Sequence, residues 1–132
     1  MKKALLILSI SFCFYLSAGA QVSYSCTYRQ YCDWDTAEQT YSNCTGYDDH
    51  SLFEINKNET MFDHTTESLS SSYYIKSREY DAKNEVYSYQ VISDVGNKYY
   101  YMFDPNNKQV RALYTTKDGK YNLVIFTVKA VF

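Results

Sequence analysis

The chain has two histidines, His50 and His64, and both lie among carboxylates: Asp48 and Asp49 precede His50, and Asp63 precedes His64. Imidazole beside carboxylate can ligate a divalent metal or act as a general acid–base pair. In "SLFEINKNETMF" a turn over 56–59 sets Phe53 against Phe62. The same register brings His64 opposite Ser51, one residue along from His50. Strand alternation then sends the two imidazoles to opposite faces, so one ion would need a bulge or a slipped ladder. The segment reads more simply as an exposed acidic loop. The 15 acidic residues allow many spatial pairs of the kind used in glycoside hydrolysis, but no spacing singles one out. There is no Gly-x-Ser-x-Gly elbow, phosphate-cradling glycine loop or His-Glu-x-x-His helix. The reading names no catalytic residue, no metal ligand and no cofactor. A small hydrolase or metal-dependent enzyme using His50 or His64 is the alternative.

Chemistry of a second kind resides in the cysteines. The start "MKKALLILSISFCFYLSAGA" has the basic, apolar and small-residue regions of an export signal, with cleavage expected after Ala20. Its apolar run is shorter than the roughly 20 residues a spanning helix needs. Cys26, Cys32 and Cys44 follow the leader, in a compartment where disulfides persist. Cys26 and Cys32 share one extended run, which separates them by about 20 Å, too far to bridge. Cys44 is thus the common partner. A turn over 33–37 places Cys26 opposite Cys44, and a turn shifted to Glu38 selects Cys32 instead. The first register is the expected one, giving a Cys26–Cys44 disulfide. It leaves Cys32 as a free thiol or a link to a second copy of the chain.

Tyrosine is the third candidate. Sixteen occur in the whole sequence, and all but Tyr15 follow the leader. A tyrosine ring stacks on sugars or flat ligands and carries a hydrogen-bonding tip, but it also fills half-buried positions in small sheets. The clustered rows Tyr87 with Tyr89, and Tyr99, Tyr100 and Tyr101, are the candidate binding residues. Adjacent tyrosines face opposite ways, so at least one of Tyr99 and Tyr100 meets solvent or a pocket.

Removing residues 1–20 takes away two of the 13 basic residues and no acidic one, leaving 11 against 15 and a net charge of −4. No basic run is available for phosphates or anionic lipid, so nucleic acid is not an expected partner. Residues 21–132 are long enough for one domain.

These side chains must be positioned by strands. Runs rich in Tyr, Val, Ile and Thr occur near 22–32, 40–47, 51–55, 60–66, 72–80, 85–93, 98–103, 108–115 and 120–132, separated by "NKNE", "DAKN", "DVGN", "DPNN" and "TKDG". Connections this short join antiparallel neighbours. The expected fold is all-β, an antiparallel meander of eight or nine short strands closed as a small barrel or packed as a two-sheet sandwich. Even positions of the last strand, the row Val110, Ala112 and Tyr114, and the row Tyr87, Tyr89 and Val91 should point inward. This architecture resembles that of lipocalin-like (calycin) proteins. Their Gly-x-Trp signature near the first strand is absent here, since the single tryptophan sits in "CDWD", so the resemblance implies architecture alone.

The closing run "YNLVIFTVKAVF" also resembles the last strand of outer-membrane barrels, which need strands of about 9–11 residues. Rows such as Tyr99, Tyr101 and Phe103 span only about 13 Å, too short for that apolar band. No integral membrane association is therefore expected of the mature form, and the membrane barrel is a minor alternative. The functional expectation is a small exported domain of bacterial appearance, periplasmic or extracellular. It would act by binding a protein, a glycan or a small apolar ligand, or as an inhibitor or immunity-type protein.

Overall fold

The computed structural model describes residues 21–132, so the expected leader lies outside the described residues. Eight strands follow one another: β1 (Val22–Asp35), β2 (Thr40–Ile55), β3 (Met61–Thr65), β4 (Ser70–Asp81), β5 (Val86–Ser93), β6 (Lys98–Asp104), β7 (Gln109–Thr115) and β8 (Tyr121–Val131). Each pairs antiparallel with the next, and β8 returns to pair with β1, closing a barrel rather than a sandwich. The closing ladder extends to paired backbone bonds between Ser23 and Phe132, at 2.7 and 2.9 Å. The loops at 36–39, 66–69, 94–97 and 116–120 gather at one end, here the upper, and those at 56–60, 82–85 and 105–108 at the lower.

Turn chemistry sets the hairpins. Asp35 Oδ1 accepts the amides of Ala37 and Glu38, Asp81 Oδ1 those of Lys83 and Asn84, and Asp104 Oδ1 that of Asn107. In each loop the residue four positions after the aspartate, namely Gln39, Glu85 or Lys108, adopts positive φ. An aspartate that accepts its own turn's amides and a left-handed closing residue together bring the chain back in register.

The runs at 40–47 and 51–55 are one strand, β2, which accounts for eight strands instead of nine. Gly46 lies in its middle because Tyr28 of β1 covers it. A Cβ at 46 would lie 2.6 Å from Tyr28 Cζ, inside the ring's contact distance.

Inward rows follow the pleat. Tyr89 and Val91 of β5, Tyr101 and Phe103 of β6, Val110 and Ala112 of β7 and Val124, Phe126 and Val128 of β8 are buried, but the expected inward row of β8 stops there: Ala130 and Phe132 are exposed, beyond a shift in the ladder with β1. Phe53, wholly buried, is the hub. Its ring lies 4.9 Å from Phe126, 5.8 Å from Phe103, 6.0 Å from Tyr101 and 6.2 Å from Phe62. An eight-stranded barrel is just wide enough for side chains to fill, and here aromatic rings fill it. The expected pairing of Phe53 with Phe62 is displaced by two residues: Phe53 faces His64, and Ile55 faces Phe62. A two-residue slip preserves faces, so Phe62 stays inside.

The disulfide expectation is overturned. The bridge joins Cys32 to Cys44, with Cα atoms 4.1 Å apart, and among the described residues Cys26 is the free cysteine, buried. Cys32 is thus neither a free thiol nor available to link two chains. The turn covers 36–39 rather than 33–37, and the ladder shifts between Tyr31 and Asp33. Cys26 instead lies opposite Ser51 on one side and Val128 on the other. Burial, then the nearby Asp49 carboxylate, pushes the Cys26 thiol up to about 12, so it carries almost no reactive thiolate.

Two outcomes are expected. On residues 21–132, alkylation should add no label to the native protein, one after denaturation without reductant, and three after reduction, read by intact mass. Phe53→Ala should lower unfolding free energy by about 3–5 kcal/mol in urea titration, since it removes the ring against which five others pack.

Candidate functional site

Two spaces in the upper half of the barrel concentrate polar and aromatic groups. The first is interior and begins with a backbone irregularity. Tyr24 and Cys26 point inward, so simple alternation would send Arg29 outward. The ladder shifts between Cys26 and Tyr28 against both neighbours, and beyond it Arg29 lies opposite inward-facing Phe126, and Tyr31 opposite Val124. A bulge reverses which face a side chain occupies. It carries a guanidinium inside.

There Arg29 pairs with Asp49 at 2.7 Å, with the two side chains 15% and 20% exposed. It donates to Tyr31 Oη at 2.9 Å and to Ser51 Oγ at 3.4 Å, and Ser51 donates to Asp49 at 3.0 Å. Its Cζ stands 4.7 Å from the centroid of the Phe126 ring, a cation–π contact. His64 stacks flat on Phe53 at 4.2 Å and meets Phe126 edge-on at 5.2 Å. Burial, then the Arg29 charge, drives its pKa down to about 4, so the imidazole is neutral near pH 7. Arg29 Nε and His64 Nε2 are buried and have no hydrogen-bond partner. Both residues line a cavity of about 220 Å³ whose other walls include Tyr73, Tyr99, Tyr101 and Tyr114.

The second space is a cleft of about 790 Å³ bounded by Trp34 and Tyr41 near the β1–β2 loop, Tyr121 at the start of β8, Tyr100, Leu113 and Tyr114. Trp34 and Tyr41 face each other across the hairpin and pack edge to face at 4.9 Å. Gln90, Tyr100 and Leu113 form one cross-strand row on the face opposite the buried residues. Lys76 and Lys98 also border the cleft, no carboxylate does, and neither lysine is in an ion pair among the described residues. Tyr99 and Tyr114, with rings 5.6 Å apart, border both spaces.

The five tyrosines singled out by sequence are therefore divided. Tyr99 and Tyr100 reach the cleft, and Tyr101 is buried against the interior cavity. Tyr87 and Tyr89 border a separate concavity of about 310 Å³ at the lower end. Sequence reasoning missed Trp34, Tyr41 and Tyr121 in the cleft. The first two stand at equal distances from a turn centred between Ala37 and Glu38, a signal a correct turn placement would have exposed. It also missed Arg29, Tyr31, Asp49 and Ser51, which become neighbours only after the bulge. His64 is a core residue, not part of an exposed acidic loop, because β3 sets it directly against Phe53. His50 is exposed, so the two imidazoles lie on different sides of the wall. Among the described residues no group of three or more His, Cys, Asp or Glu side chains is placed to hold a metal ion.

His64 makes stability depend on pH. Its pKa of about 4 in the folded state lies below its ordinary 6.5, so the unfolded chain binds the extra proton first. Stability is full above pH 6.5 and declines as pH falls from 6.5 to 4, by roughly 3 kcal/mol at most. The charged groups facing the ring are Arg29 of β1 and Asp49 of β2. Asp104 acts in a lower window. Burial disfavours its charge, but hydrogen bonds from Asn107 and Arg111 outweigh burial and hold it below 3.8, so its contribution is lost only in stronger acid. Urea midpoints at pH 7.5 and 4.5 should differ clearly for the native protein and much less for His64→Phe. Equal declines in both would show that another group titrates.

No family model, curated protein or solved structure matches this chain.

Proposed function

We propose that this is a small exported, non-catalytic binding barrel whose ligand surface is the aromatic cleft beneath the β1–β2 loop, and that its ligand is a flat apolar molecule carrying negative charge. One observation carries the reading: in an acidic chain, five tyrosines, the only tryptophan and two lysines outside any ion pair among the described residues surround one concavity without a carboxylate. Aromatic walls supply stacking and apolar contact, and lysines at the rim supply attraction and orientation for an anion. The rigid ladder beneath keeps the walls in place without ligand, which limits the entropy lost on binding.

Other features accord with this reading. The Cys32–Cys44 bridge suits an oxidising compartment. The outward positions of the barrel include Glu54, Asp63, Gln90, Lys98 and Arg111, polar groups that suit water rather than a lipid-facing band. The neutral, stacked His64 and the protonated Cys26 thiol are poorly disposed to act as base or nucleophile.

Trp34 is the chain's own reporter. Anilinonaphthalene sulfonate, an aromatic anion, should bind the folded protein and change Trp34 emission as it does. Tyr100→Ala should weaken binding about threefold to tenfold through lost ring contact. Lys98→Gln should weaken it mainly at low salt, because exposed charge is screened. Unchanged affinity in both variants, or binding that leaves Trp34 emission untouched, would overturn the assignment.

A further inference from the structure

We infer that the interior cavity above Phe53 is a second, separate binding site, for an uncharged ring-sized molecule whose carbonyl oxygen accepts hydrogen bonds from Arg29 and His64. A buried polar atom without a partner costs about 1–3 kcal/mol, and native interiors contain few of them. Among the described residues the two buried side-chain nitrogens without partners, Arg29 Nε and His64 Nε2, belong to residues that line one and the same cavity. His64 is only 9% exposed. Phe126 touches both groups and holds them on one wall. Something that enters the cavity supplies what they lack.

The chemistry of the walls defines that visitor. Arg29 Nε can only donate, so the visitor must accept, and neutral His64 donates from Nε2 in one of its tautomers. The remaining walls are the rings of Tyr73, Tyr99, Tyr101 and Tyr114 with Ala112 and Val124, which surround an apolar, planar body. Charge decides the class. Arg29 is already neutralised by Asp49 at 2.7 Å, and the imidazole carries no charge, so the cavity is balanced when empty. An added carboxylate would be a buried charge beside Asp49 with no free counterion, whereas a ketone or amide oxygen satisfies both donors without one. The volume of about 220 Å³ suits a single substituted ring, and its walls share only Tyr99 and Tyr114 with the outer cleft.

Three probes of similar shape separate the alternatives: acetophenone, which carries the acceptor, ethylbenzene, which lacks it, and benzoate, which is charged. Acetophenone should shift the His64 imidazole nitrogen resonances of the native protein and bind about tenfold more tightly than ethylbenzene, with benzoate weaker than acetophenone. His64→Phe, which keeps a flat ring on Phe53, should shrink the advantage over ethylbenzene to about threefold or less. Acetophenone affinity should be unchanged when the outer cleft is saturated with anilinonaphthalene sulfonate. Equal binding by all three probes, or no movement of the His64 resonances at saturating probe, would show that water alone occupies the cavity and would overturn the inference. Competition between acetophenone and the sulfonate would overturn the separation of the two sites while leaving the cleft assignment intact.

Discussion

Closure of eight strands on themselves governs everything else in this molecule. With β8 hydrogen-bonded to β1, no edge remains to pair with another chain, and every inward side chain must share a lumen only about two side chains across. That geometry rewards large flat groups that interlock edge to face, which is the arrangement of Phe53, Phe62, Tyr101, Phe103 and Phe126. The tyrosine excess is in large part an answer to this packing problem.

The lumen is not uniform along its axis. Around Phe53 and below it the filling is aromatic and aliphatic. Above it lie Arg29, Asp49, Ser51 and His64, connected by short hydrogen bonds or stacked on the same rings. A charged pair inside a barrel is expensive to desolvate, so its retention calls for nearly complete hydrogen bonding or a use. The network is nearly complete: Arg29 meets an acid, a phenol, a serine and a ring face. The missing partners at Arg29 Nε and His64 Nε2 make this the place where the interior departs from a purely structural core.

Outside, the β1–β2 hairpin does a different job. It is the longest in the barrel, and its disulfide ties Cys32 to Cys44 just below the pair Trp34 and Tyr41. A cross-link near the end of a long hairpin restrains the part otherwise most free to fray. The aromatic pair is thereby held against the barrel wall, where it forms one side of a cleft whose other side comes from Tyr100, Leu113 and Tyr121.

The sequence by itself determined the strand composition, the short antiparallel connections and the inward rows of β5 to β7 and of β8 as far as Val128, because period-two alternation and turn residues are local properties. It also placed Tyr99 and Tyr100 on opposite faces, since adjacent strand residues alternate. What it left open was every property that depends on a count of residues across a bulge or turn. A turn centred later than expected exchanged Cys26 for Cys32 as the partner of Cys44. A two-residue slip moved His64 opposite Phe53. One irregularity after Cys26 turned Arg29 from the outer face to the inner, with no change in its neighbours along the chain. Only the closed sheet decided these, because a bulge is stabilised by strands on both sides and a side chain's face is fixed by the pairing of the whole ladder, not by the residues next to it.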